Sequence, residues 1–301
     1  MASHAATTTT PTLALRRVVA DYTSLTKPRI IELLLVTTVP AMIVAAGSWP
    51  GLGLVAATVA GGALVSGSAH ATNMVYDRDI DAAMARTATR PLPSGRISVG
   101  GASLFAAVLL AAGTGLLYGV AGVLAAALTV VAWGHYVIVY TVWLKRRSDQ
   151  NIVIGGAAGA LPPVIGWAAV TGTTPAPAWA LFAVIVLWTP THFWALAIGT
   201  GDDYEHADVP MLNVVRGVET AARHGLVYAL ATVAASLALP VLGVGGWPFA
   251  LVAAVLGAWF AARSLRLVRE PTKAAAWRLF HASIVYLAAL FLAVGVTVLW
   301  S

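Results

Sequence analysis

The chain has 301 residues, of which 59% are hydrophobic and 10% are charged, and its mean hydropathy is +0.83. A water-soluble domain of this composition would be coated in apolar surface, so the composition excludes the soluble globular classes and predicts a polytopic membrane protein. The net charge is +6, and the absence of cysteine excludes disulfide bonds and thiolate metal ligands.

The first 20 residues are rich in alanine and threonine and have no apolar core of signal-peptide length before Arg16. We predict a disordered cytoplasmic tail over residues 1–20 and a single transmembrane domain over residues 21–301. A helix needs about 20 apolar residues to cross a bilayer. Segments of this length, or nearly so, predict an all-α protein with nine transmembrane helices, over residues 30–48, 52–74, 99–118, 120–143, 152–171, 178–198, 224–243, 246–263 and 276–300.

The charged residues fall on one membrane face when these segments are threaded through a bilayer; we call this side the charged face. All 18 lysines and arginines lie there, whereas the opposite loops, such as SWPG at Ser48, carry no charge. Basic residues accumulate in short cytoplasmic loops, so we expect a cytoplasmic N-terminus and an outside C-terminus in the cell membrane. All 12 acidic residues share this face. The net charge therefore reflects topology and suits anionic lipid of the bilayer, and it gives no reason to expect nucleic acid binding.

The second span ends in a polar segment, NMVYDRDIDAAMARTATRPLPSGRIS, which begins at Asn73. Asn73, Asp77 and Asp81 are four residues apart and therefore share one face of a helix. Carboxylates in a membrane protein are costly unless a cation compensates them, so this row predicts a divalent-metal site, and its oxygen ligands suit Mg²⁺. The alternative is a solvated helix end.

Basic residues near this row predict a phosphorylated substrate. Arg86 and Arg90 follow Asp81, while Lys145 and Arg146 end the fourth span at the same face. Guanidinium groups bind phosphate oxygens in pairs, so these four residues are the candidate diphosphate ligands. For Lys145 and Arg146, a purely topological anchor is the alternative.

A second acidic segment, GDDYEHADVP, begins at Gly201 after the sixth span. It emerges at the same face as the first, four helices later, so the two segments occupy corresponding places in a pseudo-repeat. Two facing carboxylate clusters can hold Mg²⁺ ions and bind a diphosphate through them. The carboxylates of the second segment are those of Asp202, Asp203, Glu205 and Asp208.

Four blocks carry a family resemblance: DYTSLTKPRIIELLL at Asp21, the polar segment at Asn73, YTVWLKRRSDQNIVIGGAAGALPPVIGWAAVTG at Tyr140, and THFWALAIGTGDDYEHADVPMLNVV at Thr191. The spacing N-x-x-x-D-x-x-x-D resembles the UbiA superfamily of intramembrane prenyltransferases. The runs RTATRPLPSGRIS and NIVIGGAAGALPPVIGW resemble its heme-farnesylating branch. The blocks cover residues 21–217, whereas the last three spans match only in length and apolar character.

The resemblance implies helices around a central intramembrane cavity and an enzyme that joins the farnesyl group of farnesyl diphosphate to a vinyl group of heme b, with addition of water. Asn73, Asp77 and Asp81 match the first metal motif, Asp203 matches the acid of the second, and Asp202 stands beside it. Mg²⁺ is the implied cofactor, and heme b is a substrate rather than a prosthetic group. The product, heme O, makes heme A synthase or a terminal oxidase a candidate partner.

Heme contacts are predicted at three positions. His192 opens THFW and could ligate the iron, although a hydrogen-bonded helix histidine is the alternative. Lys27 and Arg29 in TKPR could pair with heme propionates, and positive-inside anchoring is an equally good interpretation.

The second acidic motif departs from the family pattern. Gly199, Thr200 and Gly201 stand where an aromatic residue and one or two basic residues are usual, which removes a positive charge from the local sequence. Asp208 stands where glycine is common, and Asn213 where proline usually follows the ML pair. These changes put the geometry of the second motif in doubt.

Two other functions are compatible with two acidic segments at one membrane face. One is prenylation of an aromatic acid or quinone precursor, against which the heme-branch blocks argue. The other is a transporter, against which the absence of charged residues in the middle of the predicted spans argues.

Overall fold

The computed structural model describes residues 11–201 and 203–300, apart from the side chains of residues 11–14 and 29–35. Every regular element in this part of the chain is helical, which confirms the all-α prediction. A π-helical segment, His135–Leu144, continues α5, and a 3-10 turn, Leu239–Leu242, continues α12. The helices are α1 Pro11–Leu25, α2 Pro28–Ala46, α3 Leu52–Tyr76, α4 Arg78–Ala83, α5 Val99–Gly134, α6 Asn151–Gly155, α7 Ala157–Ala160, α8 Pro162–Thr171, α9 Ala176–Thr200, α10 Asp203–His206, α11 Leu212–Arg216, α12 Val218–Ala238, α13 Gly246–Arg269 and α14 Lys273–Leu299.

Seven helices within the described residues are long and apolar enough to cross a membrane. This confirms an integral membrane protein, but the predicted count of nine is not confirmed. The predicted third and fourth spans run together as one segment of 46 residues, Val99–Leu144. The predicted first span corresponds to α2, a helix of 19 residues.

The segment Val99–Leu144 reverses its direction at Gly122. This residue has φ +83° and ψ 172°, a conformation outside the helical region that glycine adopts without steric cost. Before Gly122, contacts farther along α3 are made by residues earlier in the segment Val99–Leu144. After Gly122, contacts farther along α3 are made by residues later in this segment. The pairs are Gly61 with Leu117, Gly67 with Leu109, Ser68 with Trp133, and Asn73 with Thr141. The first half is therefore antiparallel to α3 and the second half parallel, so the segment is a helical hairpin.

Residues 11–20 belong to helix α1, so the prediction of a disordered tail is wrong for them; residues 1–10 lie outside the described part. Leu15, Val18 and Val19 are exposed on α1. A short helix that combines exposed apolar residues with arginines is typical of the membrane interface. Asp21 Oδ1 accepts from Arg96 Nε at 3.0 Å and ties α1 to the loop before α5.

The core places the charged helix ends at one side of the bundle. Helix α9 packs between α12 and α14, and α14 also packs against α2. The core of the bundle contains fully buried aromatic side chains, and they are Trp194, Phe249, Phe260, Tyr286 and Phe291. This packing holds the C-terminal end of α9 close to the N-terminal end of α14, where Lys273 contacts Gly201.

Candidate active site

The predicted row Asn73, Asp77 and Asp81 is buried at the end of α3 and in α4. Asp77 joins the two helices, and the bonds Asp77 N–Asn73 O and Asp81 N–Asp77 O are both 2.8 Å, so helical spacing continues through the junction. The exposed fractions are 4%, 1% and 4% in chain order. Asn73 Nδ2 donates to Asp77 Oδ2 at 2.7 Å. The three side chains thus share one buried face, while their catalytic and metal-binding roles stay predictions.

Two of the candidate diphosphate-binding side chains form hydrogen bonds with the carboxylates of this row. Lys145 Nζ donates to Asp77 Oδ2. Arg90 Nη1 donates to both carboxylate oxygens of Asp81 at 2.8 Å. Buried carboxylates keep their charge only with such partners, since an unpaired buried charge costs several kcal/mol. The fold therefore brings the candidate diphosphate ligands directly onto the candidate metal ligands.

Lys27 also belongs to this cluster, although the sequence suggested a heme propionate as its partner. Lys27 Nζ donates to Asn73 Oδ1 at 3.0 Å. Its backbone is left-handed, with φ +51°, which is uncommon for a residue other than glycine and is often kept at functional sites. Burial, followed by the charges of Arg90 and Lys145, lowers the pKa of Lys27 to about 7. The side chain of Arg29 lies outside the described residues.

Arg146 pairs with Asp79, a residue that the sequence reasoning did not select. Arg146 Nη1 and Nη2 donate to the carboxylate of Asp79 at 2.8 and 2.7 Å, and Nη2 lies 3.7 Å from Asp77 Oδ1. The Arg146 guanidinium holds the pKa of the Asp79 carboxyl well below its usual range. Because Asp79 is two residues from Asp77, it points away from the buried row, and a helical-face argument could not find it.

The row has the donor chemistry of a magnesium site. Two carboxylates and one carboxamide are hard oxygen ligands of the kind that Mg²⁺ prefers. Asp77 Oδ1 is buried without a hydrogen-bond partner, which costs free energy unless a ligand satisfies it. Over residues 11–201 and 203–300, no three His, Cys, Asp or Glu side chains are grouped closely enough to hold an ion. The residues fit Mg²⁺ if substrate oxygens or water complete its coordination.

Arg86 links the second acidic segment to the first. Arg86 Nε lies 3.9 Å from Asp203 Oδ2, across the gap between the loop after α4 and the start of α10. Asp202 lies outside the described residues. Asp208 has φ +51°, which accounts for the glycine that is common there, and aspartate is among the few other residues that tolerate this conformation.

Two side chains of α14 fill the space beside Gly199 and Gly201. A Cβ atom on Gly199 would lie 3.0 Å from Trp277 Cε2, and one on Gly201 would overlap the ammonium group of Lys273. Helix α14 thus brings an aromatic ring and a positive charge to the places where the local sequence has neither. The departure from the family pattern removes this charge from the motif but not from its surroundings.

His192 lies between two aromatic rings. Its ring centroid is 4.3 Å from that of Trp188 and 4.7 Å from that of Phe280, with interplanar angles of 19° and 27°. Its Nδ1 lies 2.7 Å from Ser283 Oγ. Stacking covers both faces of the imidazole, as expected of a hydrogen-bonded helix histidine. The heme-ligand role of His192 stays a prediction that these contacts do not favour.

A cavity of about 340 Å³ lies between α1 and the loop before α5. Lys27 and Arg90 line its inner part, and the ion pair of Asp21 with Arg96 stands at its wall. An anion in this cavity would meet three cationic side chains. The cavity therefore extends the candidate site toward the interfacial helix.

Known proteins resemble this chain in sequence and in fold. A model of the UbiA prenyltransferase family matches residues 34–299. A protein named protoheme IX farnesyltransferase from Gloeobacter violaceus is 48% identical over 277 residues, which cover 92% of this chain and 91% of the relative. A structure described as digeranylgeranylglyceryl phosphate synthase has a TM-score of 0.77 at 19% identity and covers 94% of this chain and 99% of that one. A UbiA homologue from Archaeoglobus fulgidus bound to DMAPP and Mg²⁺ has a TM-score of 0.63 at 17% identity, over 92% and 99%.

Proposed function

The chain belongs to the UbiA prenyltransferase family, and on this premise we propose that it transfers the farnesyl group of farnesyl diphosphate to a vinyl group of heme b. Water is added in the same reaction, and the products are heme O and diphosphate. The observation that carries the proposal is the buried row of Asn73, Asp77 and Asp81 closed over by lysine and arginine, because this arrangement suits a diphosphate bound through metal. The acceptor follows from the name of the relative that shares 48% of its residues with this chain.

Mg²⁺ is the proposed cofactor, and Asn73, Asp77, Asp81 and Asp203 would hold it, with Asp202 beside them. The Archaeoglobus fulgidus homologue, which shares the fold, was solved with Mg²⁺ and a prenyl diphosphate. When bound, the metal supplies charge neutralisation for the leaving diphosphate.

The candidate diphosphate ligands are Arg86, Arg90, Lys145 and Arg146. In this structure each of them pairs with a carboxylate, and the carboxylates are those of Asp203, Asp81, Asp77 and Asp79. In the substrate complex these cations would pair with the diphosphate, and the buried carboxylates would hold the metal. The exchange keeps every buried charge compensated, which avoids the cost of an isolated charge. The cations stabilise the diphosphate as the allylic C–O bond breaks and its electron pair moves to oxygen.

The vinyl group then attacks the allylic carbon. Its π electrons form the new C–C bond, water adds to the cationic carbon that results, and a proton leaves to give the hydroxyethylfarnesyl side chain. An apolar intramembrane cavity would keep water from the first cation. The rings of Tyr136 and Tyr140 are 5.4 Å apart in the π-helical segment, and Thr141 of the same segment accepts from Asn73 Nδ2 at 3.1 Å. The faces of these two rings can stabilise the cation.

We place the charged face on the cytoplasmic side of the cell membrane, with the C-terminus outside. Both substrates then reach the site from the bilayer, because the farnesyl chain and the porphyrin are apolar while their anionic groups stay at the interface. The protein that consumes heme O, a heme A synthase or a terminal oxidase, is the proposed partner.

The test is a reaction of purified protein in detergent with heme b, farnesyl diphosphate and Mg²⁺, with EDTA as the control. Extracted hemes are separated by chromatography and identified by mass spectrometry. A metal-dependent hydroxyethylfarnesyl adduct is the expected result. Release of diphosphate without the adduct would show that heme is the wrong acceptor and would favour an aromatic one. If folded protein forms neither the adduct nor free diphosphate, the enzyme assignment is overturned.

A further inference from the structure

A groove of about 380 Å³ lies between α13 and α14, outside the site described above. Its walls are Trp259 and Arg263 on α13 and Trp277, Arg278, His281 and Val285 on α14. The α14 residues lie within the first turns after Lys273, so by the helical rise His281 is about 12 Å along the axis from that end. The groove therefore lies near the charged face, between α13 and α14.

His281 lines this groove, and one of its ring nitrogens is bonded to the backbone. Its Nδ1 lies 2.7 Å from the backbone oxygen of Trp277. A carbonyl oxygen can only accept, so Nδ1 carries the hydrogen, and the neutral imidazole keeps its lone pair on Nε2. A backbone-bonded Nδ1–H is the usual support of a histidine that binds metal through Nε2. His281 is exposed, so this nitrogen is accessible to a ligand.

Arg263 and Arg278 bring two positive charges to the same groove. Within the described part of the chain, neither forms an ion pair with a carboxylate. The guanidinium carbon of Arg263 lies 5.9 Å from the centre of the Trp259 ring, which holds it against the wall. Two cations without acidic partners suit a ligand that carries two anionic groups.

The groove adjoins the second acidic segment. Trp277 forms its wall on one side and packs against Gly199 of α9 on the other, and α9 ends just before Asp203. Lys273, one turn before Trp277, lies against Gly201. A molecule bound against Trp277 is thus separated from the second acidic segment by a single layer of side chains.

We propose that this groove is a docking site for heme b, with His281 Nε2 on the iron, the tryptophan rings against the porphyrin, and Arg263 and Arg278 on the two propionates. The identity of the heme rests on the proposed function. Heme b accounts for the imidazole as well as for the arginines and tryptophans, whereas an anionic lipid would use only the arginines and tryptophans.

The test is a titration of purified full-length protein with ferric heme b, without farnesyl diphosphate, followed by the Soret difference spectrum. His281→Ala should abolish the imidazole-ligated spectrum and weaken heme affinity roughly tenfold or more, the usual effect of losing a metal contact. His224→Ala is the matched control, because His224 is exposed and its Nδ1 is likewise bonded to a backbone oxygen, that of Thr220, at 2.9 Å. That variant should bind heme as the wild type does.

The arginines are tested with heme b dimethyl ester, whose propionates carry no charge. Wild type should bind the ester roughly three- to tenfold more weakly than heme b, and the double variant Arg263→Ala, Arg278→Ala should lose this preference while keeping the ligated spectrum. Arg269→Ala, an exposed arginine farther along α13, is the control.

An unchanged spectrum and affinity in His281→Ala would overturn the proposal. So would an equal affinity of wild type for heme b and its ester. Retention of phosphatidylglycerol that depends on the two arginines, with heme binding the same in all variants, would make the groove a lipid site instead. Heme binding is measured separately from heme O formation. If wild-type protein binds heme in a way that depends on His281 but forms no heme O, the proposed function is overturned and the docking site is not.

Discussion

The two acidic segments differ in how firmly the fold holds them. In the first, Asp77 and Asp81 are 1% and 4% exposed and each bonds to a cation. In the second, Asp203 meets Arg86 at 3.9 Å, and the side chains are 22% and 48% exposed. Exposed ion pairs contribute about 1 kcal/mol or less, whereas a buried charge must be paired. The first segment is therefore preorganised, and we expect the second to be positioned by substrate.

We therefore expect the two segments to have different roles in the reaction. A preorganised site stabilises developing charge without further rearrangement, so the first segment should control the chemical step. A loosely held carboxylate gains its position only when metal and diphosphate bridge it to the first segment. The second segment should then control substrate affinity as well as rate.

The strongest test of the comparison is Asp77→Asn. This change keeps the shape of a side chain that is 1% exposed but removes the charge between Lys145 and the proposed metal. We expect turnover to fall by roughly a thousandfold or more, since charge stabilisation of the leaving group is lost. The measurement is initial rate of heme O formation by protein that elutes as a single species in size-exclusion chromatography. Wild-type activity in this variant would remove Asp77 from the site.

Asp203→Asn should have the next largest effect. We expect a loss of roughly ten- to a hundredfold in kcat/KM, with a clear rise in KM for farnesyl diphosphate, because this carboxylate acts through the bound substrate. Glu205→Gln is the matched control, since Glu205 is exposed in the same segment. If Asp203→Asn lowers the rate of heme O formation more than Asp77→Asn does, the second segment controls the chemical step instead of the first.

Arg90→Ala tests whether the cations of the first segment bind diphosphate. Arg90 contacts both oxygens of Asp81, so its removal frees a buried carboxylate as well as a phosphate ligand. We expect KM for farnesyl diphosphate to rise roughly tenfold and KM for heme to change much less. Arg223→Ala, which removes an exposed ion pair with Glu219 on α12, serves as the control. Equal effects on both substrates would show that Arg90 organises the whole loop.

The smallest expected effect concerns Lys27, whose titration should make the affinity for farnesyl diphosphate depend on pH. Its pKa is lowered to about 7, first by burial, so the ammonium form predominates below pH 7 and is lost as pH rises. A bound diphosphate favours the ammonium form, and affinity for farnesyl diphosphate should therefore be level below about pH 7 and fall by up to tenfold per pH unit above it. Lys27→Met should bind more weakly at pH 6 and show a flatter profile. A profile identical to that of wild type would rule out Lys27 as the titrating group.

The membrane class and the positions of both acidic segments follow from the sequence because they depend on local features. An apolar segment of span length indicates a membrane helix, and carboxylates four residues apart share one helical face, wherever the helix lies in the fold. The row of Asn73, Asp77 and Asp81 accordingly appears on one helical face, as predicted, and the structure shows that this face is buried. Residues 11–20 are helical rather than disordered, and the sequence does not indicate this because α1 has only 15 residues and includes two arginines.

Partners that lie far apart in the chain could not be predicted. Lys27 was expected to contact heme but bonds to Asn73, and Asp79 was overlooked as the partner of Arg146. The charge missing around Gly201 is supplied by Lys273, which is 72 residues later in the chain by its number. No local pattern marks His281 as a candidate, because its significance depends on a groove formed by two helices.

By itself, the sequence determined that the protein is helical, lies in a membrane and carries two acidic segments at one face, since composition, hydrophobic length and residue spacing are properties of short stretches. The tertiary structure decided which cations neutralise which acids, where the hairpin turns at Gly122, and which side chains of α14 stand beside the second segment. These outcomes depend on how whole helices pack. Packing in a membrane is set by close contacts between distant surfaces, which the order of residues along one helix does not specify.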